Sequence, residues 1–201
     1  MNLAIFGGTF DPIHHAHLAV ARAARDAFRI DRLLLVPAAV PPHKRDRSTE
    51  SWEHRYRMVE LACAGEQFLE PSALESGEEQ SYSILTIEVV RAGLRPGDRL
   101  FFVIGADAFS EISTWYHWQE VVQLVEFIVV TRPGHQYIVP PGARVHSLAS
   151  VQSAVSSSGI REKLARCEAP EELAPAVFAY IREHRLYGFG SACLPDSART
   201  L

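Results

Sequence analysis

What this 201-residue chain lacks narrows it before anything it contains does. Its three cysteines, Cys63, Cys167 and Cys193, lie far apart, so neither a disulfide framework nor a zinc ribbon is implied and reduced thiols are expected. It has no basic excess: Lys and Arg number 20 against 24 Asp and Glu, a net charge of −4. That balance excludes a nucleic-acid coat and a membrane-surface role driven by charge. No apolar run approaches the roughly 20 residues that cross a bilayer. The first residues run straight into a short apolar segment with no basic stretch before it, so no secretory signal is read and a cytoplasmic setting is expected. Internal repeats and long low-complexity segments are missing as well.

What is there is an ordinary globular composition, 47% hydrophobic and 22% charged. The length suits one well-buried core and is short for two domains. The apolar runs Leu3–Phe6, Leu33–Val36, Leu100–Ile104 and Phe127–Val130 are continuous rather than alternating. Strands buried on both faces of a parallel sheet read this way. Between them, 15–28, 53–64, 83–92 and 117–124 carry helical spacing. Alternation of the two predicts an α/β fold, a doubly wound and mostly parallel sheet. Arg144–His146 reads as a short further strand, Ser156–Arg161 opens a helix, and 171–184 reads as another, ending near Gly188. These last helices make a small helical C-terminal part. One domain over 1–189 is expected, then a frayed tail over 190–201. The polar stretch 70–81 reads as a loop, either mobile and beside the active site or a plain surface connection.

Ligands of such sheets sit at the carboxyl ends of the strands. Three segments occupy such ends: the Gly7-Gly8 turn, Pro41-Pro42-His43-Lys44, and Gly105-Ala106-Asp107. The first is the richest. Gly7 and Gly8 permit a tight turn that brings bare N–H groups near a ligand, and Thr9 adds a hydroxyl. The helix that follows offers unpaired donors and a positive dipole end, which suit phosphate. His14 and His17, three apart in its first turn, point the same way. Together these groups describe a polyphosphate site. Histidines can instead hold a metal, but no Cys, Asp or Glu stands at ligand spacing on that helix, and no metal site is expected. The basic stretch His43–Arg47 reads as a loop reaching a phosphate, with a solvated loop as the alternative. Ser156-Ser157-Ser158-Gly159-Ile160-Arg161 is the second rich segment. One serine is explained by helix capping; three with a guanidinium make a set of donors for phosphate oxygens.

Gly-Thr-Phe-Asp-Pro-Ile-His-x-x-His, beginning at Gly8, resembles the signature of the nucleotidyltransferase superfamily of adenylyl- and cytidylyltransferases. Val155–Arg161 is similar to its Ile-Ser-Ser-Thr-x-Ile-Arg motif. Three departures are visible: Ala16 where the family usually has Gly, Ser158 where it has Thr, and Leu85 where Asp is common. Over nearly all of 1–188 the chain looks narrower still. Pro41–Lys44, Ser81–Ile84, Gly105–Asp107, Thr114-Trp115-Tyr116, Thr131–Gly134 and Tyr180–Tyr187 resemble bacterial nicotinate-nucleotide adenylyltransferases.

The resemblance implies a Rossmann-like nucleotidyltransferase fold and the joining of nicotinate mononucleotide with ATP, giving deamido-NAD and pyrophosphate, with Mg²⁺ arriving on ATP. It implies catalytic roles for His14, His17, Lys44 and Arg161. ATP contacts would come from Gly7, Gly8, Thr9, Phe10, Ser156, Ser157, Ser158 and Ile160 as well. Tyr82, Thr86, Gly105, Asp107, Trp115, Tyr116 and Arg132 would serve the mononucleotide, Trp115 by stacking on the pyridine ring. Plainer readings stand beside these: Trp115 as a core residue like Trp118, Asp107 as a helix cap, Arg132 as part of a turn. Rival functions are phosphopantetheine adenylyl transfer, a nucleotide sensor without turnover, and a metal-dependent hydrolase. A homo-oligomer is left open, and neither nucleic acid nor membrane is an expected partner.

Overall fold

The computed structural model describes residues 1–39, 50–76, 81–131, 137–149 and 155–190. Within them six strands form one parallel sheet: β1 (Asn2–Gly8), β2 (Arg32–Pro37), β3 (Leu69–Pro71), β4 (Arg99–Gly105), β5 (Glu126–Thr131) and β6 (Arg144–Ala149). Their order is β3-β2-β1-β4-β5-β6, and every neighbouring pair is parallel. The helices are α1 (His15–Phe28), α2 (Trp52–Cys63), α3 (Ser83–Ala92), α4 (Ala106–Ser110), α5 (Trp118–Leu124), α6 (Ser157–Ala165) and α7 (Pro175–His184).

Continuous apolar strands are explained by cores on both faces. Ala4, Phe6, Phe101, Val103 and Ile128 face one core with α1, α2, α6 and α7. Leu3, Ile5, Leu100, Phe102, Ile104, Phe127 and Val129 face the other with α3, α4 and α5. The period of two along each strand thus sends successive side chains into different apolar layers.

Two expectations are corrected. The stretch 70–81 is not loop throughout, because Leu69–Pro71 pairs in register with Leu33–Leu35 as an edge strand. Three residues are too few for a periodic signal. The last helix begins at Pro175, not 171, since proline fits the first helical position, where its missing N–H costs nothing. Cys63 is free and buried, and Cys193 lies outside the described residues. The predicted tail, past Gly190, lies outside the described residues. Among the described residues no helix is long and apolar enough to cross a membrane.

Strand order reverses between β1 and β4. Phe6 pairs with Val103, so the ends at Gly7-Gly8 and Gly105 flank a common crevice. This is where doubly wound sheets hold ligands.

Candidate active site

The turn after β1 is shaped by one aromatic ring. Phe10 takes a left-handed backbone (φ 47°) and folds back over Gly8. A Cβ on Gly8 would lie 2.9 Å from Phe10 Cζ, so any other residue there must displace that ring. At Gly7 the nearest atom, Phe102 Cζ, would be 3.6 Å away, an ordinary contact. The Phe10 ring is buried and meets the His17 ring edge-on at 5.1 Å. Past a cis Asp11-Pro12 bond the chain reaches His14, the extended N-cap of α1.

His14 and His17 stack with centroids 3.8 Å apart and planes 24° from parallel. The His14 backbone N–H donates to His17 Nδ1 at 3.2 Å. Accepting there leaves the proton of a neutral His17 on Nε2, which makes that atom a donor. His14 is 6% exposed, and burial holds its pKa at about 4, with the neighbouring His15 adding to the depression and Glu172 opposing it. It is therefore neutral at pH 7.

The serine motif docks directly on this turn. Ser157 Oγ donates to Pro12 O (3.1 Å) and Arg161 Nη1 to Asp11 O (2.7 Å), joining segments 145 and 150 positions apart. Ser156 is the N-cap of α6 and accepts from the Gly159 N–H at 3.2 Å, while Ser158 Oγ donates to Ser156 Oγ at 3.4 Å. The Ile160 side chain is 2% exposed in the core, and its N–H donates to Ser156 O within the helix. Helical periodicity sends it inward even though the motif runs through it.

Beneath lies a buttress to which sequence reasoning assigned nothing. Asp11, 2% exposed, accepts from Tyr187 Oη at 2.8 Å and from the Glu50 N–H at 3.3 Å, and its Oδ2 lies 3.5 Å from Arg161. Burial first, then Asp11, pushes the Tyr187 phenol well above its usual range, so it stays protonated and donates. Arg55, 1% exposed, donates to the carbonyls of Thr9, Ala38, Ala39 and Glu50. One signal was available: Arg55 shares the helical stripe of buried Met58, Val59 and Ala62, so a charge stood on the inward face.

On the α3 side a cavity of about 140 Å³ is lined by Glu75, Ser81, Tyr82, Leu85 and Thr86 among others. Tyr82 caps α3 and faces the exposed Tyr116 ring at 4.7 Å. Thr86 is buried and donates its hydroxyl to Glu75 Oε1 at 2.7 Å. Trp115 is half-buried, edge-on to Phe102 at 5.8 Å, and packs on the same core as Trp118. Gly105 is the cap of α4, so Asp107 is not; it stands exposed in that helix's first turn. A second cavity, of about 520 Å³, opens between the first turn of α1 (His15, Ala16), Val155, Lys163 in the last turn of α6 and the segment after it, with Glu168, Glu171 and Glu172. Lys44, with the basic stretch around it, and Arg132 lie outside the described residues.

A parallel sheet ordered 3-2-1-4-5-6, with a histidine pair and a serine-arginine turn converging at its switch point, defines a nucleotidyltransferase. In agreement, the family described as cytidylyltransferase-like matches residues 5–163. The chain is 54% identical over 187 residues to a probable nicotinate-nucleotide adenylyltransferase of Solibacter usitatus, covering 93% of this chain and 100% of that one. It is 38% identical to the probable enzyme of the same name from Citrifermentans bemidjiense, covering 93% and 98%. In fold it is similar to the Plasmodium falciparum nicotinic acid mononucleotide adenylyltransferase complexed with NaAD. That likeness has a TM-score of 0.76 at 21% identity and covers 94% of this chain and 98% of the other. The chain belongs to the nicotinate-nucleotide adenylyltransferase family.

Proposed function

We propose that this protein transfers the adenylyl group of ATP to nicotinate mononucleotide, yielding deamido-NAD and pyrophosphate, by direct in-line displacement. The observation that carries the reading is the docking of the Ser156–Arg161 turn on the histidine turn through Pro12 and Asp11. Donors from both ends of the chain thereby converge at a strand end, where a polyphosphate would lie along two helix N-termini.

A phosphate oxygen of the mononucleotide attacks the α-phosphorus. A P–O bond forms there as the bond to the β-phosphate oxygen breaks, and pyrophosphate leaves with the electron pair. The nucleophile is already an anion at neutral pH, so no general base and no covalent intermediate is needed. Catalysis then rests on alignment and on donors aimed at growing charge. His17 Nε2–H donates to the α-phosphate. Neutral His14 stacks on His17 and adds a second imidazole to the phosphates. Arg161 and Lys44 hold the β and γ groups, with Thr9, the Gly8 and Phe10 amides and the Ser156–Ser158 hydroxyls around them. Mg²⁺ enters as part of the ATP substrate, held by phosphate oxygens and water. The larger cavity beside Ala16 and Val155 has room for the adenosine. The smaller one, lined by Tyr82 and Thr86, takes the pyridine ring, with Tyr116 against Tyr82 and Trp115 on the neighbouring core as its aromatic partners, while Gly105, Asp107 and Arg132 serve the rest of the mononucleotide.

The deciding experiment is pyrophosphate release with ATP and Mg²⁺ against nicotinate mononucleotide, nicotinamide mononucleotide, phosphopantetheine or no acceptor. Strong preference for the nicotinate compound is expected. Preference for phosphopantetheine would overturn the acceptor while leaving adenylyl transfer standing. ATP binding without release for any acceptor would make the protein a sensor.

A further inference from the structure

Arg55 makes four hydrogen bonds from one planar group, all to main-chain carbonyls. They run to Thr9 at 2.8 Å after β1, to Ala38 at 2.8 Å and Ala39 at 3.0 Å after β2, and to Glu50 at 3.0 Å before α2. Among the described residues it forms no ion pair, so its charge is matched by these carbonyl dipoles and by Asp11 through space. Burying a charge in this way is costly, and an apolar neighbour of Met58 and Val59 would fill the volume without that cost. The fork geometry is what an apolar residue cannot supply: five donors fixed in a plane can bridge separate segments.

The bridge continues. The Ala39 N–H donates to Ser81 Oγ at 2.8 Å, and Ser81 lines the smaller cavity beside Tyr82 and Thr86. One end of the chain of contacts is thus the phosphate turn at Thr9, and the other is the wall of the cavity assigned to the mononucleotide. We infer that Arg55 is a positioning residue that ties the polyphosphate turn to the mononucleotide cavity through Ala38, Ala39 and Ser81, fixing the two substrates in line. The inference rests on the adenylyl-transfer reading above. Arg55 touches no substrate; it acts through the two loops it joins. Displacing one half-site by a fraction of an ångström would leave each substrate bound yet spoil the attack angle.

The test compares Arg55→Lys, Ser81→Ala and the double variant in full-length protein, with kcat expressed per folded molecule from near-UV circular dichroism. Lysine keeps the charge but concentrates its donors on one atom, so it cannot span the segments. A kcat loss of about 100-fold is expected for Arg55→Lys, because misplacement of that order has this effect. Ser81→Ala should lose about tenfold, with the double variant no slower than Arg55→Lys alone, since both cut one chain of contacts. KM for ATP and for nicotinate mononucleotide should each stay within about threefold, which separates lost alignment from lost binding. A kcat of wild-type size in either single variant, or losses that multiply, would overturn the inference. So would a loss explained wholly by the folded fraction. Should Arg55→Lys fail to fold, Ser81→Ala decides alone: a kcat loss with unchanged KM supports the strut, and an unchanged kcat removes it. Wild-type protein that transfers to no acceptor overturns the functional reading and this inference together, whereas active wild type with unaffected variants overturns only the inference.

Discussion

Acid should loosen this fold through His14 before it reaches Glu126. The His14 ring is 6% exposed, and burial keeps its folded pKa at about 4 against 6.5 for an ordinary imidazole. The unfolded chain therefore takes up a proton near pH 6.5 that the folded chain refuses until about pH 4. With folded affinity for the proton depressed, stability is fully present above about pH 6.5 and is lost as pH falls toward 4. The gap corresponds to about 3 kcal/mol, out of the 5–15 kcal/mol typical of a domain. Urea unfolding followed by tryptophan fluorescence at several pH values across that window measures it. Wild type should lose stability at up to about 1.4 kcal/mol per pH unit beyond whatever His14→Gln loses, because glutamine has no proton to gain. Parallel curves for wild type and variant, or a His14 ring resonance titrating near pH 6.5, would refute the assignment.

Other outcomes follow from the same geometry. His17→Ala removes the donor assigned to the α-phosphate, so kcat should fall by about 100-fold or more, near 3 kcal/mol, with little change in KM; a normal kcat with raised KM would refute the role. Gly8→Ala places a methyl 2.9 Å from Phe10 Cζ and must push that ring against His17. Overpacking of this kind costs about 1–3 kcal/mol, readable as a lowered melting temperature together with reduced activity. Glu126 is held at about pKa 2 by hydrogen bonds from Arg99 and His146, so its contribution, present above about pH 4.5, is lost only as pH falls from there toward 2. Glu126→Gln should therefore flatten the stability curve below pH 4.5 and leave the His14 window unchanged, as acid titration by circular dichroism would show.

Much of the fold was legible because its elements repeat locally. The runs at 3–6, 33–36, 100–104 and 127–130 all fall inside strands, and 15–28 and 83–92 match helices residue for residue. Ser156 was legible as a cap, since a hydroxyl before an apolar stripe satisfies a helix end wherever that helix packs. The phosphate turn was legible as a motif, but the reason for Gly8 was not. That reason is the Phe10 ring, whose left-handed backbone no spacing announces.

The elements and residue types that the sequence determined by itself are those governed by contacts within a few positions: helical stripes, buried strand runs, caps and the two motifs. The tertiary structure alone decided what depends on strand order. Leu69–Pro71 became an edge strand because β2 offered an open ladder. Arg55 became a four-fold donor because the ends of β1 and β2 lie side by side. Ser157 and Arg161 met Pro12 and Asp11 because the winding of the sheet returns α6 to the start of α1. Local periodicity carries no information about which distant carbonyl a buried donor will find; only the folded sheet brings those partners within hydrogen-bonding distance.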